Sequence, residues 1–378
     1  MSKVAILTQP LGANYGGILQ AFALQYVLRE MGHQPITIDR RGSQDRLRTL
    51  ASLAKGGLLW MAGRQRRIRR WPSPKESETI CRHTNRFVSE HITTSVPITT
   101  TDKLRRYTEQ GEFDAYIVGS DQVWRKAYSP YMPNYFLDFL PEDSQAKRIA
   151  YAASFGISKW EFTEAETQLY SRLAKRFDLI SVREDSAVAL CREHLGVEAT
   201  HVLDPTMLVD RSVYEELAMS RYAHPSKGDL FCYILDRTPE KSLLVRETAS
   251  EQGLTPFEIM PREYRNLPLG ADLSTVVMPP VEQWLRSFME ATYVITDSFH
   301  GTVFSILFEK PCIVIQNASR GNDRFQSLLK MLSVPPEGNS QFIDFRSDEI
   351  SDHLAGLRHR SLRLLSRSTS EPTHLQKL

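Results

Sequence analysis

Cysteine is scarce in this chain. Cys81, Cys191, Cys232 and Cys312 are the only four among 378 residues. They form no CxxC pair and no Cys/His spacing suited to zinc, so neither a structural zinc nor a disulfide framework organises the fold. Cys232 (LFCYIL) and Cys312 (PCIVI) sit in apolar runs that read as buried strands. Long apolar runs are also lacking: none reaches the ~18 residues a membrane span needs. No signal peptide precedes the strand-like Val4-Ala5-Ile6-Leu7. Charge of one sign is not in excess, since 47 Lys+Arg against 45 Asp+Glu leave a formal +2. That balance gives no general field for nucleic acid. Neither a GxGxxG turn nor a P-loop lysine is present, and no carboxylate or His/Cys set has metal spacing. No metal and no cofactor are therefore expected, and a reducing cytoplasm suits the composition.

What is present is a repeated alternation of short apolar runs with helix-period stretches. KVAILT, a glycine turn, ILQAFALQYVLREMG and PITID open the chain as a βαβ unit. Strand signals follow at AYIVGS (115–120), RIAYAAS (148–154), LISVR (179–183) and ATHVLDP (199–205), with helical patterns at 163–177 and 184–195. A second series runs LFCYIL, helix 239–252, TPFEI, STVVM, helix 281–290, YVITD, helix 301–308, CIVI and helix 322–332. Strands alternating with helices imply parallel sheets. The expected class is α/β, with two Rossmann-like domains facing a cleft: 1–207, then 208–368, with 369–378 as a frayed tail. A basic insertion spans about 42–78. Within it, residues 46–71 carry eight Lys/Arg and no Asp/Glu. A solvated insertion over the domain edge is the commoner fate of such a run. The other reading is an amphipathic basic helix on anionic lipid.

Four loops follow strands, where folds of this class bind ligands. In Gly12-Ala13-Asn14-Tyr15-Gly16-Gly17, the glycines let backbone amides approach an anion at a helix start; a tight turn needs the same residues. In Gly119-Ser120-Asp121-Gln122-Val123-Trp124, Asp121 can serve as base or orient a sugar hydroxyl, and Trp124 can stack on a sugar. The competing reading is an Asp cap with a core Trp. Arg183, at the end of LISVR, suits a carboxylate or phosphate, or an ion pair with Glu184 and Asp185. In Asp297-Ser298-Phe299-His300-Gly301, a histidine beyond a strand and beside a helix N-terminus can move a proton or bind an anion. Arg324, in Asn322-Asp323-Arg324-Phe325, is a second candidate anion ligand, or a surface partner of Asp323.

Together KVAILT, NYGGILQAFALQ, AYIVGSDQVW, SVRED, HVLDPT, ITDSFHGTVFSILFEKPCIVI and NDRFQSLL resemble the polysaccharide pyruvyl transferase family, in order from residue 3 to about 330. The resemblance implies a GT-B-like fold and transfer of a pyruvyl group from phosphoenolpyruvate. Two hydroxyls of one sugar would form a pyruvate ketal, in bacterial surface polysaccharide or exopolysaccharide synthesis. It implies His300 as the catalytic histidine, with Arg183 and Arg324 as matching basic groups; on their own chemistry, Asp121 or Glu184 would deprotonate a sugar hydroxyl. Arg183 and Arg324 would then contact the donor; from their places in the loops, Gly16, Gly17, Ser298 and Gly301 are expected beside it, and Asn14, Tyr15 and Trp124 at the acceptor. Some members carry arginine where Ser298 stands. A lipid-linked oligosaccharide acceptor would bring the protein to the inner membrane face. Two rivals share these features: a GT-B glycosyltransferase using a nucleotide sugar, and a non-catalytic sugar- or phosphate-binding relative.

Overall fold

The computed structural model describes residues 1–42, 72–261, 264, 267, 271–317, 323–335 and 338–370. The basic stretch 46–71 therefore lies outside the described residues, as does 371–378. Two sheets carry the chain. The first holds β1 (Lys3–Leu7), β2 (Gln34–Thr37), β3 (Ala115–Val118), β4 (Lys147–Ala153), β5 (Leu179–Val182) and β6 (Thr200–His201), in the order β2-β1-β3-β4-β5-β6. All five pairings are parallel. The second holds β7 (Leu230–Tyr233), β8 (Pro256–Phe257), β9 (Tyr293–Thr296), β10 (Pro311–Ile315) and β11 (Ser340–Asp344), in the order β11-β10-β9-β7-β8. Helices cover both faces of parallel sheets, so their strands are continuous apolar runs. Val4 to Leu7 and Ala115 to Val118 are accordingly buried at every position.

Several expectations needed correction. STVVM is not a strand; Leu273–Val276 is a short 3-10 turn. TPFEI contributes only Pro256–Phe257. β11 pairs antiparallel with β10, so the second sheet is not wholly parallel. The helix Asp348–Thr369 buries Ile350, Leu354, Leu357, Ser361, Leu365 and Thr369, one stripe at helical spacing. It starts on the second unit and ends on the first. There Ser361 Oγ accepts from the Leu203 amide at 3.2 Å, and Arg358 Nε donates to the Met207 carbonyl at 2.8 Å. Thr369 is thus a buried helix terminus rather than the start of a frayed tail.

The two units share one hydrophobic core. A single cluster runs from Val4 and Ile6 through Phe22 and Tyr214 to Phe231, Trp284 and Phe304. The helix Tyr15–Glu30 is buried almost all round because it lies at this junction. Arg86 clamps the junction with a two-pronged bond to Glu282 at 2.7 and 2.8 Å. This packing fixes the carboxyl ends of the two sheets around a common cleft.

Candidate active site

The cleft has a volume of about 1060 Å³. One wall comes from the loops after β1 and β3 (Gln9, Asn14, Asp121, Tyr128), the other from the ends of β7 and β9 (Tyr233, Arg237, Asp297, Ser298). His300 and Arg324 also line it, both buried.

Beneath the cleft lies a charge network built from four strand ends. Asp204, fully buried after β6, receives Arg183 Nη1 at 2.7 Å and the Ser120 hydroxyl at 3.1 Å on Oδ2. Its Oδ1 caps the turn that follows, accepting from the Thr206 amide at 3.0 Å and the Thr206 hydroxyl at 2.7 Å. Arg183 Nη2 reaches Asp121 Oδ1 at 3.1 Å. Nε2 of His300, from the other unit, is buried and faces Asp204 Oδ2 at 3.6 Å, without a closer hydrogen-bond partner among the described residues. The Phe299 ring carries the Arg183 guanidinium at 4.5 Å and that of Arg324 at 5.6 Å.

Burial alone would raise the Asp204 and Asp121 carboxyls. For Asp204, His300 and Arg183 outweigh burial and hold it well below the usual carboxylate range. For Asp121, Arg183, His300 and Arg324 do the same. Both acids are therefore carboxylates at neutral pH. Burial, then repulsion from Arg183, lowers Arg324 to about 10, leaving it a cation at pH 7.

The backbone is shaped for this closeness. A Cβ on Gly16 would lie 2.0 Å from His300 Nδ1, so only glycine lets the first loop touch the histidine of the second unit. A Cβ on Gly301 would meet Thr296 Oγ1 at 2.1 Å. Gly17 sits behind Asn14, whose side chain a Cβ there would meet at 3.0 Å. Ser298 caps the helix Phe299–Leu307, its hydroxyl accepting from the Gly301 amide at 3.3 Å. Asp297 is an organiser: its carboxylate takes the Leu235 amide at 2.6 Å, the Asp236 amide at 3.1 Å and Lys241 Nζ at 2.6 Å, tying β7 and β9 together.

The structure thus gathers Asn14, Asp121, Ser298, His300 and Arg324 on the cleft and excludes four other expected residues. Trp124 is 1% exposed, stacks on Phe136 at 5.2 Å and donates Nε1–H to the Tyr135 carbonyl, so it cannot stack on a sugar. Tyr15 is equally buried; its hydroxyl donates to the Pro279 carbonyl at 2.9 Å and its ring stacks on Trp284, making it a clamp between the units. Glu184 turns away: Oε1 accepts from the Ser154 hydroxyl and from the Phe155 and Gly156 amides at 2.9–3.1 Å. Burial raises its carboxyl. Arg183 is sealed beneath the cleft by two carboxylates and holds the network rather than a ligand. Two residues, one beneath the cleft and one on it, went unassigned in the sequence. Asp204 was visible within HVLDPT, where an acid between a strand end and a proline carries little signal by itself. Tyr128 lies in an irregular loop, which offers no periodicity to read.

Two Rossmann-like units around a cleft define a GT-B-type protein. Among solved structures, the chain is similar to a Listeria monocytogenes protein described as a UDP-N-acetylglucosamine 2-epimerase (11% identity, 97% of this chain and 91% of that one, TM-score 0.50). It is also similar to the UDP-GlcNAc 2-epimerase from Neisseria meningitidis (11%, 97% and 99%, TM-score 0.47) and to MurG from Acinetobacter baumannii (10%, 97% and 93%, TM-score 0.43). No curated protein matches the sequence. The sequence profile of the polysaccharide pyruvyl transferase family matches residues 14–319, and the chain belongs to that family. Among the described residues, no helix is long and apolar enough to cross a membrane.

Proposed function

We propose that this protein transfers the pyruvyl group of phosphoenolpyruvate onto two hydroxyls of one sugar residue, forming a cyclic ketal and releasing phosphate. The observation that carries the reading is a cleft floor where Arg324 and His300 converge beside the N-terminus of the helix Phe299–Leu307, with Asp121 opposite. A small ligand with a carboxylate and a phosphate needs such a floor: a guanidinium for charge-assisted bonds and a helix N-terminus for the dipole.

In the reaction we infer, C3 of phosphoenolpyruvate takes a proton, leaving C2 electrophilic. His300, backed by Asp204, supplies that proton. The first sugar hydroxyl, oriented by a hydrogen bond to Asp121, adds to C2 and gives its proton to the now neutral His300, which is thereby restored. The second hydroxyl of the same sugar closes the ring on C2, the C2–O bond to phosphate breaks, and phosphate leaves as hydrogen phosphate, carrying that hydroxyl's proton. Holding both hydroxyls beside C2 makes closure intramolecular, a gain in effective concentration. Arg324 stabilises the departing anion. We take the acceptor to be a saccharide of a growing surface polysaccharide, carried on lipid. The rest of the donor-binding set is Gly16, Gly17, Ser298 and Gly301, which shape the loop and the helix start.

The test is to incubate the protein with phosphoenolpyruvate and a panel of galactosides, glucosides and mannosides, measuring phosphate release and sugar mass. A sugar gaining a pyruvyl group in step with phosphate supports the reading. Thermal stabilisation by nucleotide sugars but not by phosphoenolpyruvate would overturn it.

A further inference from the structure

We propose that Tyr128 is the stacking platform of an acceptor subsite for a hexopyranose, at the mouth of the cleft. This rests on the pyruvyl-transfer reading above. The buried charges of Asp121, His300 and Arg324 lie on the cleft, while Tyr128 is exposed on it. A cleft of about 1060 Å³ is far larger than a three-carbon phosphorylated acid fills. The second substrate needs a recognition surface, and the aromatic residues expected to supply it, Tyr15 and Trp124, are buried. Of the aromatic side chains lining the cleft among the described residues, Tyr233, Phe299 and Phe325 are buried as well, but Tyr128 is 43% exposed.

Tyr128 is also held ready. The Arg125 guanidinium lies 4.8 Å from its ring centroid, and Arg125 Nη1 donates to Gln122 Oε1 at 2.9 Å. Gln9 Nε2 donates to the Gln122 carbonyl at 2.8 Å and to the Ser129 hydroxyl at 3.0 Å, pinning the loop on both sides of the tyrosine. Ser129 Oγ in turn donates to the Val123 carbonyl at 2.5 Å. A platform fixed before its ligand arrives loses little conformational entropy on binding. Arg125 covers one face of the ring and polarises it, and a ligand takes the other.

The neighbours suit a sugar. Gln9 and Asn14 present amides and Asp121 a carboxylate to the same cleft. An apolar ring flanked by amide and carboxylate groups matches a pyranose, whose C–H face stacks while its equatorial hydroxyls hydrogen-bond at the rim. Asp121 joins this rim to the charged floor, so a sugar lying on Tyr128 has its hydroxyls directed toward the donor.

Kinetics of Tyr128→Ala, Tyr128→Phe and Tyr128→Trp test this. The alanine variant is expected to raise KM for the accepted glycoside roughly tenfold, with KM for phosphoenolpyruvate unchanged. Phenylalanine and tryptophan, which keep a stacking face, should stay close to wild type. An unchanged glycoside KM in Tyr128→Ala, or an equal rise for phosphoenolpyruvate, overturns the subsite. A second arm needs no turnover: saturation-transfer NMR with methyl galactoside, glucoside and mannoside, and with UMP, on wild type and Tyr128→Ala. Glycoside signal in wild type that falls in the variant supports the subsite even if no phosphate is ever released, in which case only the donor assignment fails. Equal glycoside signals in the two proteins, no glycoside signal in wild type, or a loss confined to UMP overturns it.

Discussion

Nε2 of His300 and Oδ2 of Asp204 face each other at 3.6 Å across the junction of the two units, one from the helix after β9, the other from the loop after β6. Their side chains are buried, and Arg183 and Ser120 hold the carboxylate from behind. An anion placed there fixes the orientation of the imidazole. The other charged groups of this network are Asp121, Arg183, Arg324 and Glu184. Asp204→Asn keeps the shape and removes the charge. It is expected to lower kcat by about 100-fold, the scale of general acid catalysis. Steady-state kinetics on the folded variant check this. His300→Ala should abolish turnover with the fold intact.

Asp204 also sets a stability window. Its folded pKa is depressed, so its contribution is present above the unfolded carboxylate range of about 3.9 and is lost as pH falls through the folded value. The melting-temperature gap between wild type and Asp204→Asn should therefore be largest near neutrality and shrink below about pH 4. A gap that widened in acid would contradict the depressed carboxyl.

Gly16→Ala tests the contact between the first loop and the histidine. The added methyl would stand 2.0 Å from Nδ1, so the ring or the loop must move. We expect kcat to fall toward that of His300→Ala while the protein stays folded. In the double variant the two effects should not add, because both act on one side chain. Additive losses would mean that Gly16 acts elsewhere.

Arg324→Gln should raise KM for phosphoenolpyruvate about ten- to a hundredfold, the scale of a hydrogen bond to a charged group. Binding of a glycoside alone should be unaffected. Isothermal titration of each substrate separately decides this. Equal losses for donor and glycoside would place Arg324 in general scaffolding.

Trp124→Ala should cost about 3–5 kcal/mol in urea unfolding, as for a buried aromatic, and leave KM for the glycoside unchanged. A raised KM without a stability loss would return Trp124 to the acceptor.

Loss of a general acid or base costs about 100-fold or more, whereas Glu184→Gln is expected to keep kcat within about threefold. Burial raises the Glu184 carboxyl, so wild type loses stability as pH rises through the unfolded carboxylate range toward the folded value. Relative to wild type, the glutamine variant should therefore melt progressively higher as pH rises above about 4.

Much of the fold could be read from periodicity. The helices 239–252 and 281–290 lie where the sequence puts them, and strands such as Lys3–Leu7, Ala115–Val118, Leu230–Tyr233 and Pro311–Ile315 fall in apolar runs. What escaped was short or unpatterned. β11 has a mixed burial pattern on an edge, and the helix Asp348–Thr369 carries its apolar stripe among many arginines. In the site, His300, Asp121 and Arg324 were marked by position beyond strands. Whether Arg183, Trp124 and Tyr15 face ligand or core was not legible, because both settings use the same residue types at the same loop ends. Tertiary packing decided it: two carboxylates converge on Arg183, while Phe136 and Trp284 take the two aromatic rings.

The helix Asp348–Thr369 reaches back to the first sheet, where Ser361 meets the Leu203 amide and Thr369 bonds His33 at 3.1 Å. During synthesis the first unit leaves the ribosome with that surface, and the face of its helix Tyr15–Glu30, still uncovered. It cannot settle as a finished domain while the second is being made. The nascent chain must carry exposed apolar surface until its last helix is released, so the burden on chaperones falls on the early half of the protein although the missing piece is the late one.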